Sequence, residues 1–162
     1  MDGFLFEENV NPCKTLHTMV KGIDYTGVTI SFYCHDRKGN YVMHRRIKNC
    51  RDEWGNWDFG GGGLRFNERL LDDVYREIEE AYGTKPIEVE FMRVDEVFRK
   101  HESENTHWIS FRYKALVNRE EVKNNEPEKH DELQWVTLDT LPSPLHSQVA
   151  SVMEKYKSIL RK

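Results

Sequence analysis

The stretch from Gly61 to Gly83, GGGLRFNERLLDDVYREIEEAYG, constrains this chain more than any other. Five residues separate Gly62 from Glu68, seven separate Glu68 from Arg76, and an Arg-Glu-Ile-Glu-Glu cluster then runs toward Gly83. Residues Asn67 to Tyr82 read as a helix. Asn67 is a good N-cap, Leu70, Leu71, Val74, Tyr75 and Ile78 recur on one side, and Gly83 suits the left-handed residue that ends a helix.

Residues three and four apart share a helix face, so Glu77, Glu80 and position 81 are expected to project together, away from the apolar stripe. Arg76 lies two turns beyond Glu68, within reach of an ion pair that ties the loop to the helix. Clustered carboxylates repel one another, and their natural counter-charge is a hard divalent cation. Mg²⁺ suits them because it takes a few carboxylates and leaves its other positions to water and phosphate oxygens. Gly60 to Gly63 let the backbone approach a ligand closely or adopt positive φ. An acidic run on a helix is, by itself, most often a solvated face; the fixed spacing of the whole segment sets this one apart.

That spacing resembles the Nudix box: Gly, five residues, Glu, seven residues, then Arg-Glu-aliphatic-any-Glu-Glu-any-Gly-aliphatic. Here the box spans 61–84, and the resemblance makes 1–162 a single Nudix domain. Ala81 stands where the family carries the second Glu of its pair, normally a metal ligand; Thr84 stands where an aliphatic is usual, and Gly60 where Pro is frequent. Trp57-Asp58-Phe59 leads into the glycines as the family's strand does. Further along, Asn125-Glu126-Pro127-Glu128-Lys129, followed by Trp135 and by Leu141-Pro142, resembles a segment of Nudix enzymes that cleave nucleoside triphosphates. The likeness extends over roughly 28–147.

The resemblance implies an α/β fold, a mixed β-sheet sandwiched between helices (α/β/α). It also implies Mg²⁺-dependent hydrolysis, with Mn²⁺ as a substitute, of a nucleoside triphosphate or other nucleoside-diphosphate derivative at a phosphoanhydride bond. Carried over by position, Glu77 and Glu80 hold the metal and share the catalytic work, with the carbonyl of Gly61 as a further ligand. Glu68, Arg76, Gly62 and Gly83 are structural. A distal-loop carboxylate is expected from Glu128 or Glu132, with Glu102 and Glu104 behind them. Ala81 has no lone pair to offer, and Glu79 points about 160° away around the helix. Three accounts stay open: a weakly active or binding-only member, an introduced Glu-to-Ala change, or slow turnover on the remaining carboxylates. Alternative readings are an ADP-ribose or nucleotide-sugar pyrophosphatase and a catalytically weak nucleotide-binding module.

The rest of the chain fits this frame. Its 162 residues suffice for one substantial core, and a net charge of −4 argues against general nucleic-acid or membrane binding. No apolar run approaches the roughly 20 residues of a membrane span, and the first residues lack the pattern of a signal peptide. Cys13, Cys34 and Cys50 show no paired spacing, which suggests free thiols in a reducing cytoplasm. A cytoplasmic enzyme with a nucleotide substrate follows, and a homodimer is left open.

Strands are expected at Val28 to Cys34, Tyr41 to Ile47, Trp57 to Phe59, Ile87 to Arg99, Trp108 to Val117 and Gln134 to Leu138. His101 to Thr106 reads as a hairpin loop, Asn118 to Leu133 as a long loop, and His146 to Leu160 as an amphipathic closing helix. Candidates for substrate contact are Arg45, Arg46 and Lys48 for phosphates, Trp54 for stacking on a base, and His107 near the mouth of the site. Trp57 reads as core. His17, His101, His130 and His146 lack metal-ligand spacing and read as surface or packing residues.

Overall fold

The computed structural model describes residues 18–101 and 103–162. Cys13, His17 and Glu102, and the side chain of His101, lie outside the described residues. The elements run β1 (Gly27–His35), β2 (Asn40–Arg46), β3 (Trp57–Asp58), β4 (Gly61–Gly63), α1 (Leu70–Tyr82), β5 (Glu88–His101), β6 (Glu104–Leu116), β7 (His130–Thr137) and α2 (Ser147–Leu160). The strands form one mixed sheet in the order β3-β2-β1-β6-β5, with β4 paired to β1 and β7 to β2. β1 and β6 run parallel, and the other pairings are antiparallel.

Alternation along β1 sorts the two cores, because successive side chains of a strand point to opposite faces. Ile30, Phe32 and Cys34 pack with Val74, Ile78, Ala81 and Tyr82 of α1. On the opposite face Tyr33, with Tyr41, Met43, Trp57 and Phe59, packs under Val149, Val152, Tyr156 and Leu160 of α2. This is the expected α/β/α arrangement, and Trp57 is a core residue. Cys34 is buried and Cys50 half-buried, both as free thiols. No helix among the described residues is long and apolar enough to cross a membrane.

Four local expectations need correction. The box helix begins at Leu70, behind an Arg69 N-cap with no side-chain cap bond. Asn67 instead adopts φ 62° in the loop, where the Glu68 carboxylate accepts a bond from the Arg65 N–H at 3.1 Å, drawing the chain into a turn before the helix starts. Glycines 61–63 form a strand, with Gly62 opposite Ile30, where a loop was expected. β5 and β6 extend to His101 and from Glu104, leaving a tighter hairpin than 101–106. β7 begins at His130, inside the expected loop, because that segment pairs with β2 as far as Arg46. Gly83 closes α1 as foreseen, at φ 63° with its N–H on the carbonyl of Glu79.

Candidate functional site

A cleft of about 350 Å³ lies where β4, the C-terminal half of α1, the loop before β7 and the start of α2 converge. Gly60 to Gly63, Glu77, Ala81, Glu126, Lys129, Arg46, Arg99 and Trp108 all line it. A hollow of about 470 Å³ at the other end of the sheet is lined by mixed charges such as Glu88, Lys114 and Arg161, and by none of the box residues.

Glu77 is the carboxylate of the box helix that lines the cleft. Its side chain is 16% exposed, and it presses on the backbone of Gly62 so closely that a Cβ there would stand 2.0 Å from the carboxyl carbon. Any larger residue at position 62 would displace it. Gly62 is pinned in turn by its carbonyl, which accepts the Thr29 hydroxyl at 2.6 Å. Burial pushes the Glu77 carboxyl upward, and the Arg76 guanidinium beside it opposes that shift.

Arg76 is the hub beneath this seat. Its guanidinium donates twice to Glu68, at 2.7 and 3.0 Å, to Glu77 at 2.6 Å, to Glu80 at 3.1 Å, and also to Asp73. The hydrogen bond from Arg76 draws Glu68 down to about 2. Asp73, fully buried, is raised to about 6, chiefly by loss of water around it. Glu80 is 38% exposed and also pairs with Arg65 at 3.3 Å, so it stands at the rim and does not line the cleft as Glu77 does.

The loop after β6 docks on the open end of α1. The last carbonyls of a helix lack intrahelical partners, and here the Lys123 N–H bonds the carbonyl of Tyr82 and the Asn125 N–H that of Ala81. The Asn125 side chain adds bonds to the carbonyls of Glu79 and Glu80. The next residue, Glu126, thereby faces the cleft beside Ala81, and the Lys129 ammonium holds it at 2.5 Å. Glu126 is thus the loop carboxylate that lines the cleft, and the sequence reading passed over it. Glu128 is exposed, Glu132 pairs with Arg45 at 3.3 Å on the outer face of β2 and β7, and neither lines the cleft. Glu104 is likewise exposed, at the start of β6.

The substrate candidates divide in the same way. Arg46 enters the cleft, while Arg45 points outward to Asp131 and Glu132. Trp54 is 61% exposed and its indole N–H is spent on the carbonyl of Cys50. His107 stacks on Phe98 at 4.4 Å on the far face of the sheet. Its neighbour Trp108, one residue on and so on the opposite face, lines the cleft with Arg51 over its ring at 4.8 Å.

At the α2 end of the cleft lies a second charged network. Asp52 meets Arg99 at 3.0 Å and Arg46 at 3.1 Å, and Arg46 also reaches Asp58 at 3.3 Å. His146 is buried. Its Nδ1 accepts the Gln148 N–H, capping α2, which leaves the proton on Nε2 facing Glu53 at 3.4 Å and Asp52 at 3.7 Å. Burial works against the Asp52 charge, but the His146 bond and the arginines together hold its carboxyl well below the usual range. Asp52, Glu53 and His146 are close enough to share an ion, yet Arg46, Arg99 and Ser147 already occupy their oxygens. His44 and His130, also buried, stack at 3.7 Å beside the cleft. The Tyr82 hydroxyl gives its proton to the carbonyl of Phe59, so the His44 Nδ1, 3.0 Å from the Tyr82 hydroxyl oxygen, is the donor to it.

The carboxylate chemistry fits a hard divalent cation, since Glu77, Glu80 and Glu126 offer oxygen donors, and the Gly62 backbone leaves space that the Glu77 carboxyl fills. RNA pyrophosphohydrolase of Bartonella henselae is 26% identical over 137 residues, covering 71% of this chain and 78% of that protein. The crystal structure of a MutT NUDIX hydrolase from Burkholderia pseudomallei superposes with a TM-score of 0.70 at 26% identity, covering 81% of this chain and 98% of that one. The NUDIX domain of Shewanella oneidensis NrtR, in complex with ADP ribose, shares the fold with a TM-score of 0.67 at 18% identity, covering 84% and 89%. The NUDIX domain pattern matches residues 26–156, and with the box geometry above it follows that this chain belongs to the NUDIX domain family of hydrolases.

Proposed function

We propose that this chain hydrolyses a phosphoanhydride bond of a nucleoside triphosphate, by attack of water on phosphorus, in a reaction dependent on Mg²⁺ or Mn²⁺. The seat of Glu77 carries the reading: a half-desolvated carboxylate is held against a glycine strand, in a cleft that also presents Arg46, Arg99 and Lys129. Glu77 would hold the metal with Glu126 from the docked loop, and with Glu80 and the Gly61 carbonyl at its edge. When bound, the ion screens phosphoryl charge and acidifies the attacking water. Arg76 and Glu68 keep the carboxylates in place, and Arg46 and Arg99, fixed by Asp52, line the approach for the phosphate chain. With Ala81 in a ligand-bearing position, turnover rests on the other carboxylates and is slow.

A second reading, cleavage of ADP-ribose or a related nucleotide sugar, is favoured by the aromatic wall at Trp108 and by the ADP ribose bound to the NrtR relative. Product analysis separates the two. With Mg²⁺ and a panel of nucleotides, the first reading expects pyrophosphate or phosphate from a triphosphate, and Glu77→Gln should lower the rate by about 10² or more. AMP with ribose phosphate from ADP-ribose would move the assignment to the second reading. Nucleotide binding without turnover would leave a binding module and overturn both.

A further inference from the structure

We infer that Lys129 is a resident cation of the phosphate site. The inference rests on reading the cleft as a phosphoanhydride site. In this chain the methyl of Ala81 lines the cleft, and a lysine lines it too. The Lys129 ammonium is tethered to Glu126 at 2.5 Å, and the charges of Glu126 and Glu77 both act on it.

Lys129 is built into place. Its N–H bonds the carbonyl of Glu126 at 2.9 Å, and its own carbonyl accepts the N–H of Ile47 at 2.9 Å and the Cys50 thiol at 3.2 Å. The segment before it is clamped to the end of α1 through Lys123 and Asn125. The side chain is 44% exposed, and with Glu126 taking one of the ammonium's three protons, the others can serve a phosphate oxygen. A compact point charge on a short leash is what binding a phosphate requires, and it competes with metal for the same carboxylates.

Two consequences separate this role from that of an ordinary surface ion pair. Pyrophosphate should bind without any metal, and Lys129→Met should weaken that binding at least tenfold, the worth of a charged hydrogen bond, while Lys129→Arg retains most of it. Lys129→Met should also tighten Mn²⁺, by about tenfold, because a like charge leaves the neighbourhood of Glu77 and Glu126. Calorimetric titration with pyrophosphate in chelator, and Mn²⁺ titration followed by electron paramagnetic resonance, read both quantities on the full chain without turnover. Unchanged affinity for both ligands in a folded Lys129→Met variant would overturn the inference. If these shifts appear but no nucleotide is hydrolysed by the unmodified chain, the proposed reaction fails while the role of Lys129 stands.

Discussion

Replacing Arg76 by Ala should destabilise the fold more than removing any one of its partners. Its side chain is 17% exposed and its guanidinium pairs with Glu68, Asp73, Glu77 and Glu80, whose side chains are 15%, 0%, 16% and 38% exposed. Removing one partner of a buried ion pair costs about 3–5 kcal/mol, because the other is left charged and unpaired. Part of that is recovered here, since Glu80 can turn to water and Arg65, so about 3 kcal/mol is expected. For a domain of this size that lowers Tm by roughly 6–12 °C.

The pH dependence sharpens the expectation. Without Arg76 the folded-state pKa of Asp73, already raised to about 6 by burial, moves further above its unfolded value. A raised folded pKa contributes stability that is present below the unfolded pKa and lost as pH rises through the folded one. The variant should therefore approach the unmodified protein as pH falls from about 7 to 5, and millimolar Mg²⁺ should raise its Tm more than that of the parent. Thermal melts at both pH values, with and without Mg²⁺, test this. A variant melting within about 2 °C of the parent at pH 7 and low salt, with no response to pH or Mg²⁺, would refute the hub.

Ala81→Glu should raise Mg²⁺-dependent turnover by about 10² and lower Tm in chelator, because the methyl it replaces is 5% exposed beside Glu77; equal rates in both forms would show that Glu126 and Glu80 already suffice. Gly62→Ala should remove hydrolysis with little change in Tm, since its Cβ displaces the Glu77 carboxyl and leaves the core untouched; retained activity would break the link between that seat and catalysis. His44 and His130, lowered to about 3 and about 4 chiefly by burial, stay neutral in the fold while their unfolded forms take up protons. Stability is thus full above their ordinary value of 6.5 and is lost as pH falls from there toward about 4. Denaturant melts of His44→Phe/His130→Phe should show a flatter slope over that window, and an unchanged slope would place the sensitivity elsewhere.

The sequence by itself determined the box helix, its glycine stop, the alternation of β1 and the closing helix, because each is a local pattern: apolar spacing near 3.6 or 2 and a left-handed cap at Gly83. The Glu68–Arg76 contact was legible for the same reason, lying two turns apart on one segment. Other features depended on contacts between segments distant in the chain. Glu126, and not Glu128 or Glu132, faces the cleft because Asn125 satisfies carbonyls at the end of α1, a docking that no periodicity in the loop announces. Trp108 enters the cleft and His107 does not because β6 pairs with β1 and β5 in one register, and a shift of one residue would exchange their faces. Asn67 fails as a cap because Glu68 is drawn to both Arg65 and Arg76. Spacing assigned the chemistry to this chain; the pairing of remote backbone donors and acceptors decided which side chains stand where it would occur.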